Sequence, residues 1–159
     1  MGTSAYAETY IASEQSEQVL TTTSTWEALS ASFADGAFSN MEDPTSAGVL
    51  EVSDPFAGRY ELSYDVVLQV TGPTAILDGF IHMTEEIIEI GVGVDASVNA
   101  KTIRPAHAAV VHGRVQATCS GAEVTLTAGQ VLQLYARCTS NDAVGITVHK
   151  AFLKARQIA

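Results

Sequence analysis

The strongest constraint on this chain is the run from Arg59 to Val70. Tyr60, Leu62, Tyr64, Val66, Leu68 and Val70 alternate with Arg59, Glu61, Ser63, Asp65 and Gln69, and only Val67 breaks the pattern. In an extended chain successive side chains point to opposite faces. Six apolar residues at a spacing of two therefore describe a strand with one buried face, whereas a 3.6-residue period would scatter them around a helix.

Further strands follow, separated by turn residues. Val49-Leu50-Glu51-Val52 ends at Ser53-Asp54-Pro55, and Thr71-Gly72-Pro73 closes the long strand. Ala75 to Thr84 reads as the next strand, with Ile76, Phe80 and Ile81 as apolar anchors. Ile87 to Val94 is apolar on both faces, and Asp95 to Pro105 reads as a loop. Ala106 to Cys119 reads as one long strand with Gly113 as a bulge, closed by a turn at Ser120-Gly121. Glu123 to Leu126, Val131 to Cys138 and Val144 to Leu153 complete the set, with Ala128-Gly129 and Thr139-Ser140-Asn141-Asp142 between them. The best helix candidate starts at Thr25-Trp26-Glu27-Ala28-Leu29 and soon meets Ser30, Ser32 and Asp35-Gly36.

Eight or more strands without intervening helices predict antiparallel sheets, because parallel pairs need long crossovers. The expected fold is all-β: an antiparallel jelly-roll sandwich of about 8–10 strands, in one domain over residues 26–159. Residues 1–25 differ. Ser4 to Thr25 is rich in Ser, Thr, Glu and Gln, with Tyr6, Tyr10 and Ile11 as isolated apolar anchors. Two readings stand side by side: a first strand plus a loop, or an extended N-terminal arm that docks on a neighbour or a larger shell.

Apolar residues make up 47% of the chain and charged residues only 16%, against roughly 25% charged in ordinary soluble domains. Such a chain hides much surface in partners or carries two-sided sheets. The net charge of −10 argues against nucleic acid as a partner. No apolar run approaches the roughly 18–20 residues of a membrane helix. The N-terminus lacks the basic and apolar regions of a signal peptide, so synthesis in a reducing cytosol is expected, with Cys119 and Cys138 read as free buried thiols. The charges are unevenly placed. Residues 1–95 carry −15 and residues 96–159 carry +5, the latter from Lys101, Arg104, Arg114, Arg137, Lys150, Lys154 and Arg156 against Glu123 and Asp142. Either these are solvated faces, or opposite patches meet between subunits.

Residues for catalysis do not converge. His82, His107, His112 and His149 are scattered, and no phosphate loop or nucleophile elbow is present. Glu85, Glu86 and Glu89 form the one acidic group that suggests a divalent ion, with a solvated acidic loop as the alternative. The expectation is no enzyme, no cofactor and no metal. Tyr135, on the face opposite Leu132, Leu134 and Ala136, is the best interface candidate, with Arg137 beside it. Tyr6, Tyr10, Ile11 and Arg114 join it as candidates for an oligomer or capsid interface.

Three segments, in order, resemble the trimeric jelly-roll family of tumour necrosis factor and the complement-type globular heads. Gly58-Arg59-Tyr60-Glu61-Leu62-Ser63-Tyr64, after Ala47-Gly48-Val49-Leu50-Glu51-Val52, looks like the family's Gly-x-Tyr-x-Phe/Leu-Ser strand. Val124 to Leu134 is similar to its Leu-x-Leu-x-x-Gly-Asp-x-Val-x-Leu hairpin, with Gln130 where Asp is usual. Val144 to Leu153 matches the closing strand. The resemblance implies a homotrimer around a threefold axis. Similar domains occur in bacteriophage fibres, spikes and capsid decoration proteins, and the lack of a collagen repeat favours that setting. The implied role is a virion structural protein: a decoration (cement) subunit on the capsid surface, made in the host cytoplasm and bound to the major capsid protein or another virion protein. A fibre or spike receptor-binding head and a carbohydrate-binding jelly-roll module are the alternatives.

Overall fold

The computed structural model describes residues 4–11, 13–21, 23–30, 33–41, 48–110, 113–140 and 143–159. Its strands are β1 (Tyr6–Ile11), β2 (Gln18–Leu20), β3 (Glu27–Ala28), β4 (Phe33–Ser39), β5 (Val49–Glu51), β6 (Gly58–Thr71), β7 (Thr74–Leu77), β8 (Phe80–Met83), β9 (Glu86–Val94), β10 (Ser97–Val98), β11 (Arg104–Ala108), β12 (Arg114–Leu126), β13 (Val131–Cys138) and β14 (Val144–Gln157). A 3₁₀ turn, Ala100–Thr102, lies between β10 and β11. The count exceeds the expected 8–10 because β2, β3 and β10 are two or three residues long, too short for a periodicity to register, and because β7 and β8 stand in place of one expected strand.

All pairings are antiparallel, and two six-stranded sheets form a sandwich. The first runs β12-β6-β14-β1-β4, with β2 beside β14; the second runs β10-β9-β13-β3, with β11 on β9 and β5 on β13. The alternating run is β6, an inner strand of the first sheet between β12 and β14. Tyr60, Leu62, Tyr64, Val66, Leu68 and Val70 are all buried. They meet Ile88, Ile90 and Val92 of β9 and Leu132, Leu134 and Ala136 of β13 in one core. Tyr60 and Tyr64 are thus core residues, and Cys119 and Cys138 are free and buried.

Tyr64 ties the two sheets together. Its hydroxyl reaches the carbonyls of Ile90 (2.9 Å) and Thr102 (2.6 Å). Thr102, itself buried, accepts from the Val92 amide (2.8 Å) and donates to the Asn99 carbonyl (2.7 Å). Burial, more than any other cause, drives the Tyr64 hydroxyl well above its usual range and keeps it a donor.

Several sequence-based expectations change. The N-terminal segment follows the first-strand alternative. β1 is inserted between β14 and β4, and Ala5, Ala7, Thr9, Ile11 and Leu20 are buried. Residues 6–11 are paired on both sides, with β14 and β4, and residues 18–20 pair with β14, so these segments are strands of the sandwich. The helix candidate is instead β3 with its flanks: pairing with β13, and the Leu29 amide on the Leu134 carbonyl (3.0 Å), overrides local helix preference. The stretch Ala106 to Cys119 is two strands. β11 belongs to the second sheet and β12 edges the first, so the chain changes sheet between them. Ser120-Gly121 is a bulge within β12 rather than a turn. The register with β6 shifts between Cys119 and Ala122, and Gly121 takes a φ of 81° that a side chain would resist. The loop from Asp95 to Pro105 holds β10 and the 3₁₀ turn, and β14 runs on to Gln157.

Tyr64→Phe leaves two buried carbonyls without this donor while keeping the ring. The expected cost is about 1–3 kcal/mol in urea unfolding at unchanged slope, and a variant as stable as the original chain contradicts the bridging role.

Candidate interaction surface

The strands that bury one face in the core present the other outward, and the outer face of the first sheet carries the three longest strands, β6, β12 and β14. Registers place Tyr10 of β1 opposite Phe152 of β14, Phe152 opposite Asp65 of β6, and Asp65 opposite Thr118 of β12. Asp65 accepts from Gln116 (2.5 Å) and Thr118 (3.2 Å). The next rows carry Glu8 and Lys154, then Tyr6, Arg156 and Glu61, with Arg156 bridging to Glu61 at 3.1 Å. A depression of about 390 Å³ lies at the Ser120-Gly121 bulge, lined also by Ser63, Asp65 and Phe152. This face is mixed aromatic and charged, the composition of a protein contact surface.

Of the candidate interface residues, Tyr6 and Tyr10 lie on this face. Tyr10 is 39% exposed. The Tyr6 hydroxyl donates to the Glu8 carboxylate and its ring lies 5.8 Å from the Lys154 ammonium. That hydrogen bond, then burial, then the Glu8 charge push the Tyr6 hydroxyl up to about 12. Ile11 is the exception. One residue beyond Tyr10, it faces the core at 5% exposure and is not offered to a partner.

Tyr135 and Arg137 lie on the outer face of the second sheet. The Tyr135 ring covers Gly93 of the neighbouring strand, where a Cβ would fall 2.3 Å from the ring. The Arg137 guanidinium sits 4.4 Å over the Trp26 ring and holds Glu89 at 2.6 Å, so it is engaged within the chain. Arg114 is exposed at the start of β12, beside a hollow of about 360 Å³ that Val110 and Val115 also line.

The chain's charge asymmetry is not a spatial one. Because β14 and β12 flank β6, and β13 flanks β9, late cations meet early acids inside the same molecule: Lys150 with Asp65 (3.6 Å), Arg156 with Glu61, Arg137 with Glu89, and in the reverse sense Arg59 with Glu123 (2.5 Å). The acidic group also disperses. Glu85 pairs with His107 (3.2 Å), Glu89 with Arg137, and Glu86 turns inward, fully buried, to accept from Ser140 (2.5 Å). His149 lies between Glu14 (3.0 Å) and Gln69 (3.2 Å), and His112 is outside the described residues. Among the described residues, no three acidic, His or Cys side chains are grouped to hold a metal.

Sequence reasoning missed one surface. The stretch Ala75 to Thr84 is not a single strand with buried anchors but the hairpin β7–β8, a separate two-stranded sheet. Its turn is Asp78-Gly79, with φ of 51° and 78°. Asp-Gly between apolar runs is the strongest short-range hairpin signal, and it was available to find. Ile76, Leu77, Phe80 and Ile81 are exposed rather than buried.

No protein-family model matches this chain, and no curated protein matches it in sequence. Solved structures do match in fold. The globular domain of zebrafish complement 1qA protein superposes with a TM-score of 0.51 at 8% identity, over 98% of each chain. Eiger TNF from S. frugiperda superposes with a TM-score of 0.55 at 11% identity, over 98% of this chain and 93% of that one. The fold is therefore the jelly roll of tumour necrosis factor and complement globular domains. At these identities the likeness speaks to fold alone.

The Tyr6–Glu8 contact has a pH signature. A tyrosine raised from 10 to about 12 in the folded chain contributes stability that is complete below pH 10 and lost as pH rises through 12. Ultraviolet absorbance titration of the folded chain is expected to show a tyrosine near 12 that moves back toward 10 in Glu8→Gln, while the buried Tyr64 stays late in both. A titration unchanged by that substitution contradicts the contact.

Proposed function

We propose that this chain is a non-enzymatic structural subunit that self-associates as a homotrimer and decorates the surface of a bacteriophage capsid. The observation that carries this reading is the outer face of the first sheet. There Tyr6 and Tyr10 of β1 and Phe152 of β14 lie among short-range ion pairs, on a face that the long strands β6, β12 and β14 extend. Tyr and Phe at such positions supply contact area with little entropy to lose, and satisfied charges around them set the register of a partner. Among the described residues, His107 pairs with Glu85, His149 with Glu14 and Glu86 with Ser140, three separate contacts rather than one convergent site, which suits a binding module better than a catalyst.

The jelly-roll fold is compatible with trimers and with many other roles, so the trimer, the viral setting and the capsid partner rest on the sequence resemblance together with this surface. A decoration subunit stabilises a shell by binding only its assembled form, and its effect scales with its own concentration.

Cosedimentation with bare phage capsids tests the role. The chain is expected to saturate a fixed number of sites per shell and to raise the temperature at which the shell opens. Tyr10→Asp or Phe152→Asp is expected to weaken its assembly and binding while the fold persists. Binding to whole host cells with no binding to capsids would reject decoration in favour of a receptor-binding fibre head. Binding to a glycan array alone would favour a carbohydrate module.

A further inference from the structure

Six of the large apolar side chains that face solvent gather at one end of the sandwich. Ile76 is 73% exposed, Leu77 58%, Phe80 71%, Ile81 65%, Val110 68% and Val19 48%. The hairpin β7–β8 leaves β6 at Thr71 and returns to β9 at Glu86. Val110 lies between β11 and β12, and Val19 of β2 is opposite Gly145, which is opposite Thr71. All therefore share the end from which the hairpin projects.

The hairpin is apolar on both sides. Ile76 pairs with Ile81 and Leu77 with Phe80. Neighbouring rungs of a ladder point to opposite faces, so Ile76 and Ile81 form one face, and Leu77 and Phe80 the other. Strands of four residues do not sustain a hairpin alone in water. Two apolar faces with two unpaired edges would also draw aggregation unless something covers them.

We propose that two further copies of this chain cover it. In a rotational trimer each hairpin lays its Ile76–Ile81 face on the Leu77–Phe80 face of the next copy, closing an apolar ring of three. This inference rests on the trimer in the proposed function and assigns it a second contact. A rotational ring joins two different surfaces of each copy, and a hairpin with two distinct apolar faces provides both. Charge points the same way. From Gly72 to Thr84 the one residue charged at neutral pH is Asp78, in the turn, while the chain carries −10. Copies that repel elsewhere can approach here without opposing like charges. The four hairpin side chains expose on the order of 500 Å², and a specific interface needs about 800 Å² per partner. The ring therefore supplements the contact of the first sheet rather than replacing it. A lipid surface fits less well, because the hairpin has no Lys or Arg and the chain's negative charge opposes anionic headgroups.

Sedimentation velocity on the full chain tests this with Ile76→Asp and Phe80→Asp, both outside the core, and thermal melts confirm that each variant folds. Association is expected to weaken by about 100-fold or more. Folded variants that associate as tightly as the original overturn the inference and leave the trimer standing. An original chain that stays monomeric at every concentration removes the trimer and the ring together. Because Cys119 and Cys138 are buried, introduced cysteines report the geometry. A Leu77→Cys/Ile81→Cys double variant is expected to give covalent dimers and trimers on mild oxidation, and either single variant none. Efficient cross-linking by Ile81→Cys alone indicates like-to-like pairing and overturns the ring. So does an intact trimer of Phe80→Asp that has lost binding to capsids or flotation with phosphatidylcholine vesicles, since the hairpin then serves that partner.

Discussion

The inner face of β6 is shared by everything around it. Tyr60, Leu62, Tyr64, Val66, Leu68 and Val70 fill the space between the sheets, while β12 and β14 hold the strand on either side. A slip of one residue would turn Arg59, Glu61, Ser63 and Asp65 into the core, at a cost no other contact could offset. The outward side fixes the same register independently, through Asp65 with Lys150 and Thr118 and Glu61 with Arg156. Tyr64 adds the polar tie across the sandwich. Two faces of one strand thus specify one arrangement, and the long strands beside it inherit their positions.

That arrangement determines how charge is distributed in space. The sequence separates acids from bases, yet the fold returns the late strands to the flank of the early ones and neutralises pairs locally. What remains is a negative molecule with an aromatic, ion-paired sheet face and a projecting apolar hairpin whose one acidic residue is Asp78. In the proposed assembly both surfaces would serve as contacts, since a rotational ring joins two different areas of each copy.

Much of this was legible in the sequence, and the parts that were not have physical causes. Strict alternation from Arg59 to Val70 and the turn residues around Val131 to Cys138 predicted β6 and β13 closely. Residues 75–84 misled because apolar anchors ordinarily mean burial, whereas here they lie on a projecting hairpin whose Asp78-Gly79 turn was the decisive signal. Ser120-Gly121 looked like a turn because a bulge and a turn use the same residue types, and only the pairing with β6 separates them. The short strands β3 and β10 owe their form to their neighbours. For the interface candidates, Tyr6, Tyr10 and Ile11 stand out as isolated apolar residues in a polar segment; Tyr6 and Tyr10 face outward, but Ile11 is turned inward by the period of two.

The proposed role depends on copies of this chain binding one another. Native mass spectrometry of the unmodified chain across a dilution series measures this most directly. A homotrimer predicts a species of three times the 16.7 kDa chain mass at micromolar concentration, dissociating on dilution. A single 16.7 kDa species throughout the series would contradict it.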